Sequence, residues 1–170
     1  MPEAQQLHAE QRNIARIFCN DFLFYIPGYQ RPYSWEVKHA EELLDDLFDF
    51  MEAFSEAEGR TYFLGSILLV KNKKENPRAE IIDGQQRLVT LTILLSAIKY
   101  ACNDEKLKNE IKSLIYQQEN TLEGTKGAFR VNLRELDQVF FQKYIQSDEG
   151  FKELLILDDI LKDSQKNIRN

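Results

Sequence analysis

The sequence is short of the residues from which most enzyme motifs are spelled. Its seven glycines, at 28, 59, 65, 84, 124, 127 and 150, cannot write G-x-G-x-x-G or G-x-x-x-x-G-K-[ST], so a Rossmann dinucleotide site and a P-loop are excluded. Two histidines, His8 and His39, cannot form H-E-x-x-H, and G-x-S-x-G is absent as well. Two distant cysteines, Cys19 and Cys102, indicate neither a zinc site nor a disulfide framework, which makes a reducing cytoplasm the expected compartment. No apolar run approaches the roughly 18 residues of a membrane span, and the first residues lack a basic segment followed by an apolar one, so no membrane partner is expected. Excess positive charge is missing too. With 22 basic and 28 acidic residues the net charge is 22 − 28 = −6, which gives no general attraction to phosphate backbones or anionic lipids, and any nucleic-acid contact must be local.

What is present is 170 residues, one domain or one domain with an appendage at ~150 residues per domain. Leu7, Ile14, Ile17 and Phe18 predict a short amphipathic helix over 4–19. Residues 22–26 read as a strand, and 27–35 as a stiff aromatic loop in which Pro27 and Pro32 fix the backbone and Pro32 pushes Arg31 toward an extended conformation. Ser34 is a candidate N-cap for a helix over 35–54, whose apolar positions Val37, Ala40, Leu44, Leu47, Met51 and Phe54 recur every three or four residues. Its acidic side, Glu41, Glu42, Asp45, Asp46 and Asp49, is expected to face water. Residues 62–70 and 79–82 predict a hairpin. Its charged tip holds Lys71, Lys73, Lys74 and Arg78, a solvated patch with DNA contact as the lesser reading. Leu88, Leu91, Leu95 and Ile98 mark a buried helix over 86–102. Two more helices are predicted over 107–115 and 136–144, with a loop at 120–127 between them and a half-apolar tail over 151–170.

Two segments, 29–35 and 83–87, place polar and aromatic residues where packing does not require them. In the second, a strand ending at Ile82 runs through Asp83-Gly84-Gln85-Gln86-Arg87 directly into the buried helix. The first N–H groups of that helix then face whatever lies beyond the strand end, which makes an anion site. Gly84 permits close backbone approach, Gln85 and Gln86 offer amide hydrogens, and Arg87 offers a planar fork for phosphate oxygens. A carboxylate at Asp83 beside an anion implies a divalent cation between them or an oriented water, both features of phosphoryl transfer. The plain alternative is a strand-to-helix turn in which Asp83 caps the helix and Arg87 pairs with a nearby acid. In the first segment, Tyr29, Tyr33 and Trp35 offer rings for a planar base while Gln30 and Arg31 reach its phosphates; the alternative is an aromatic cluster closing the core beside an Arg salt bridge.

Three blocks in order, Ile26-Pro27-Gly28-Tyr29-Gln30-Arg31-Pro32-Tyr33-Ser34-Trp35, Tyr62-Phe63-Leu64-Gly65-Ser66-Ile67 and Ile82-Asp83-Gly84-Gln85-Gln86-Arg87-Leu88-Val89-Thr90-Leu91, resemble the GmrSD N-terminal domain family of modification-dependent restriction and other phage-defence proteins. Phe129, Arg130, Val131, Asp137, Phe140 and Phe141 look like its helical continuation. The resemblance implies an α+β fold of the ParB/sulfiredoxin type, a small mixed sheet flanked by helices with a C-terminal helical extension. It divides the chain into a nucleotide-binding domain over 1–102 and an extension over 103–170.

Function follows from the same resemblance. It implies binding and hydrolysis of a nucleoside triphosphate with Mg²⁺ or another divalent cation, the nucleotide state governing DNA cleavage by a separate nuclease. Tyr29, Gln30, Arg31 and Tyr33, with Trp35 beside them, fall in the first nucleotide-binding motif, and Gly84, Gln85, Gln86 and Arg87 in the second. Asp83, Gln86 and Arg87 are the candidate catalytic residues, and Asp83 the candidate metal ligand. Longer members carry an HNH-type nuclease domain built on His and Asn. That domain is expected here in cis or trans, no DNA cleavage is expected of this chain alone, and the uncapped apolar tail from Phe151 is expected to be a cut through a larger helical region. A homodimer and DNA contact through the full-length protein stay open. The competing readings are a non-hydrolysing nucleotide or nucleic-acid switch and a pure interaction domain; the presence of both Asp83 and Arg87 favours hydrolysis.

Overall fold

Strand β1 (Leu23–Tyr25) sits between β3 (Arg78–Asp83) and β6 (Val131–Asn132), parallel to both, and β2 (Leu68–Val70) adds to the far side of β3 in antiparallel sense. The resulting four-stranded mixed sheet has the order β2-β3-β1-β6, and β4 (Tyr116–Gln117) pairs with β5 (Ala128–Phe129) as a separate hairpin. With helices on the sheet, the fold is α+β. The computed structural model describes residues 8–53, 59–73, 75–122, 124–158, 160 and 162–170.

The period-2 alternation of β3 sets the two faces of the sheet. Ala79 and Ile81 are buried while Arg78, Glu80 and Ile82 point outward, as a strand with one covered face requires. Against the covered face lies α3 (Gln85–Ala101), which buries Leu88, Val89 and Leu91 beside Phe18, Phe22, Phe24 and Ile26. Each such side chain removed from water contributes about 1.5–3 kcal/mol. The buried α3 forms one residue earlier than the predicted 86–102, and the β2–β3 hairpin forms with Arg78, expected in its tip, as the first residue of β3.

Elsewhere the boundaries differ for physical reasons. Helix α1 covers only Ile14–Ile17, capped by the Asn13 side chain, which accepts from the Arg16 N–H; Leu7 of the predicted helix lies outside the described residues. Helix α2 spans Val37–Ala53 rather than 35–54. Ser34 is not its cap: the Ser34 N–H donates to Gln86 Oε1 at 2.8 Å, and the helix opens after Glu36, whose N–H donates to His39 Nδ1 at 3.1 Å. Phe54 and Lys74 lie outside the described residues. The strand predicted over 62–70 shrinks to Leu68–Val70 because Gly65 takes a left-handed φ of 103° that no strand contains.

Helix α4 (Glu105–Ile115), capped by Asp104, and α5 (Glu135–Phe141), which leads into a π-helical turn at Gln142–Gln146, match the two predicted helices closely. The tail holds α6 (Gly150–Leu154) and α7 (Asp163–Arg169), and both pack inward through Leu154 and Ile168. Residues on both sides of position 102 build the main sheet, and buried Arg130 ties them together. Its guanidinium donates to Ser113 O, Cys19 O and Asn20 Oδ1 at 2.9, 2.6 and 2.9 Å. Burial pulls its pKa below the ordinary arginine value. Among the described residues no helix is long and apolar enough to cross a membrane.

Candidate functional site

Strand β3 ends at Asp83, and Gly84, at φ 88°, turns the chain into α3. A Cβ at Gly84 would stand 2.9 Å from Ser66 O, so glycine there serves both the turn and the close passage of the 62–67 segment. No side chain caps α3. The first intrahelical bond at this end runs from the Leu88 N–H to Gly84 O, which leaves the N–H groups of Gln85, Gln86 and Arg87 without helical acceptors. Asp83 therefore does not play the capping role of the plain alternative. Its carboxylate takes part in no hydrogen bond or ion pair among the described residues.

The first segment is strapped to this turn by three glutamines. Gln30 Nε2 donates to Ile82 O at 3.0 Å, Gln85 Nε2 to Arg31 O at 3.1 Å and Gln86 Nε2 to Pro32 O at 3.0 Å, while Gln86 Oε1 accepts from the Ser34 N–H. The amide hydrogens read from sequence as ligand donors thus hold backbone carbonyls. Tyr33 adds a fourth tie. Thr90 Oγ1 donates to Gln86 O, so the Tyr33 hydroxyl, 2.9 Å away, is the donor of their shared bond. Burial raises the phenol pKa of Tyr33.

These ties bring Arg31 and Arg87 to one cleft of about 550 Å³, lined by Gln30, Arg31, Trp35, Asp83, Gly84, Gln85, Gln86 and Arg87. Its size falls within the range of small-molecule sites, roughly 300–1,000 Å³. Two of the three expected rings are elsewhere: Tyr33 is buried in the core and Tyr29 is exposed outside the lining. Trp35 is the aromatic wall, stacked on His39 with centroids 5.9 Å apart. Among the described residues the Arg31 guanidinium has no protein partner and Arg87 donates only to Ser66 O, at 3.4 Å. Neither pairs with an acid among the described residues, contrary to the plain alternative. Sequence reasoning missed Gly65 and Ser66, which form the bed of Arg87; a glycine inside a strand-like apolar run is the signal that marks such a close approach.

A family model described as GmrSD restriction endonuclease, N-terminal domain, matches residues 13–170. The chain belongs to this family. The match takes in both motif segments and, beyond them, the hairpin, α5, α6 and α7, so the GmrSD domain includes the helices that follow the sheet. The family sets the protein in the context of restriction systems. No curated protein matches the chain. Within this GmrSD domain no group of three or more His, Cys, Asp or Glu gathers to hold a metal among the described residues. Among the described residues Asp83 is the one carboxylate lining the cleft. That donor set suits Mg²⁺, which keeps several waters and takes one or two carboxylates plus substrate phosphates.

Proposed function

We propose that the cleft binds a nucleoside triphosphate and hydrolyses it, and that the nucleotide state governs DNA cleavage by an HNH-type nuclease domain in cis or trans. The observation that carries this reading is the meeting, in one cleft, of the open N-terminus of α3 with two arginines and a carboxylate that have no ion-pair partner among the described residues. Two guanidinium forks and three backbone N–H groups suit the oxygens of a polyphosphate. In the reading, Arg31 and Arg87 hold phosphate oxygens and Trp35 offers a face to the base. Gln30, Gln85 and Gln86 are positioning residues that keep Arg31 opposite Arg87. Asp83 holds Mg²⁺ or orients the attacking water; the cation, when bound, polarises a phosphoryl oxygen.

The test is a thermal-shift screen of the chain against the four nucleoside triphosphates with and without Mg²⁺, paired with an assay for released phosphate. A ligand at about 100 times its dissociation constant adds ~2.7 kcal/mol to stability. Stabilisation with phosphate release is the expected result. Stabilisation without release would replace the enzyme by a switch, and no stabilisation by any triphosphate would remove the nucleotide altogether.

A further inference from the structure

Helix α2 is the long element that the other described residues cover least. It is amphipathic and 17 residues long, yet has no buried residue, whereas α3, of equal length, has nine. One side is attached: Asp46 accepts from the Tyr62 hydroxyl at 2.9 Å, the Phe50 ring meets that of Tyr62 at 5.6 Å, and His39 stacks on Trp35. Turned away from that side, Val37, Leu44, Phe48 and Met51 fall within an arc of about 60° on a helix of 3.6 residues per turn. Val37, Phe48 and Met51 are 43, 57 and 69% exposed, and Leu44 between them is half-buried. Their order along the helix makes a stripe about 21 Å long at 1.5 Å per residue.

The charge around the stripe says what would cover it. Glu41, Asp45 and Glu52 run along one edge, and the whole helix carries six carboxylates against Lys38, so 1 − 6 = −5. No basic residue sits in its last turn, where the helix dipole calls for one and where Asp49 and Glu52 add charge of the wrong sign. We infer that α2 is a docking surface for a basic amphipathic helix of a protein partner. Its apolar residues would seat on Val37, Leu44, Phe48 and Met51, and its lysines or arginines would meet Glu41, Asp45 and Glu52. Exposed Phe and Met side chains supply a large and adaptable contact. A second copy of this chain would set one acidic edge against another, and a nucleic acid or an anionic membrane would meet the same repulsion.

The test measures binding of the purified chain to a 15-residue helical peptide of leucine and lysine, with leucines at i, i+3, i+4 and i+7. A leucine–glutamate peptide of the same pattern and a scrambled leucine–lysine peptide of the same composition are the controls. The patterned leucine–lysine peptide should bind at least about tenfold tighter than either control. Phe48→Ser with Met51→Ser should remove that margin. Glu41→Lys with Asp45→Lys should remove it too while keeping every apolar contact, which guards against a variant that merely unfolds. Equal binding of the scrambled peptide would show general charge attraction only and overturn the inference. So would binding unchanged by both double variants, or a homodimer in sedimentation that Phe48→Ser abolishes.

Discussion

The guanidinium of Arg87 lies across the bare Cα of Gly65, where a Cβ would stand 2.5 Å from its Cζ and 2.6 Å from Nη1. Two motifs more than twenty positions apart are therefore fitted to each other at a single atom's width. Gly65→Ala should act on both. The left-handed φ of 103° strains alanine by about 1–3 kcal/mol, and the added methyl displaces the flexible end of Arg87 from the cleft. Chemical denaturation and nucleotide titration of the same preparation should show stability and affinity falling together.

Arg31→Ala and Arg87→Ala should separate those two quantities. Neither guanidinium is paired with an acid among the described residues, so its removal leaves no buried charge behind there. Thermal stability without ligand should stay close to that of the parent. Affinity for triphosphate should fall by ~1.5–3 kcal/mol, roughly ten- to a hundred-fold, the cost of a lost charge-assisted donor. An unchanged dissociation constant in either variant would take that arginine out of the site.

Gln86→Ala should do the reverse. It strips a partner from the Ser34 N–H and from Pro32 O at once, and a buried polar group left without a partner costs about 1–3 kcal/mol. The melting temperature should drop before any ligand is added, and nucleotide affinity should weaken because Arg31 is no longer held opposite Arg87.

Acid stability should carry the mark of Asp148. Its carboxylate accepts from Lys112 and from Lys99, reaching across from the turn before α6 to α4 and α3. The hydrogen bond to Lys112, then that to Lys99, hold its pKa below the ordinary value against an opposing effect of burial. A carboxylate depressed in the folded state stabilises it above the unfolded value, about 3.9. That contribution is lost as pH falls through the folded value. Asp148→Asn should lower stability at neutral pH and flatten the acid limb of a urea-midpoint profile below about pH 4. The effect should be modest, since Asp148 is more than half exposed and solvent screens such pairs.

The sequence made legible what has a period or a turn rule. The apolar spacing of α3 could be read because it spans enough residues to show its repeat, and the strand-turn-helix at Asp83-Gly84 because only glycine fits that bend, whereas β2, three residues long, is far shorter than the strand expected over 62–70. Strands β4, β5 and β6 are two residues each, too short for any alternation to show, so the edge that β6 adds to the sheet was hidden. Side-chain direction was hidden as well. Tyr29 and Tyr33 read alike, yet one is open to water and the other bonds Thr90 in the core. An amide such as Gln85 donates as readily to a backbone carbonyl as to a phosphate, and only the fold decides between them.

Asp83 gives the sharpest division between holding charge and moving it. Its carboxylate caps nothing and pairs with nothing among the described residues, although it lines the same cleft as Arg31 and Arg87. Asp83→Asn keeps the size and removes the charge, so the folded state loses no hydrogen bond and the melting temperature should hold. Triphosphate should bind as well as before, or more tightly in the absence of Mg²⁺, because a carboxylate–phosphate repulsion has gone. Hydrolysis should fall by at least ~10²-fold, since the amide neither holds a cation nor orients a water by its charge. Phosphate release from a folded Asp83→Asn protein at the parental rate would make Asp83 a bystander and leave the two arginines as a binding site alone.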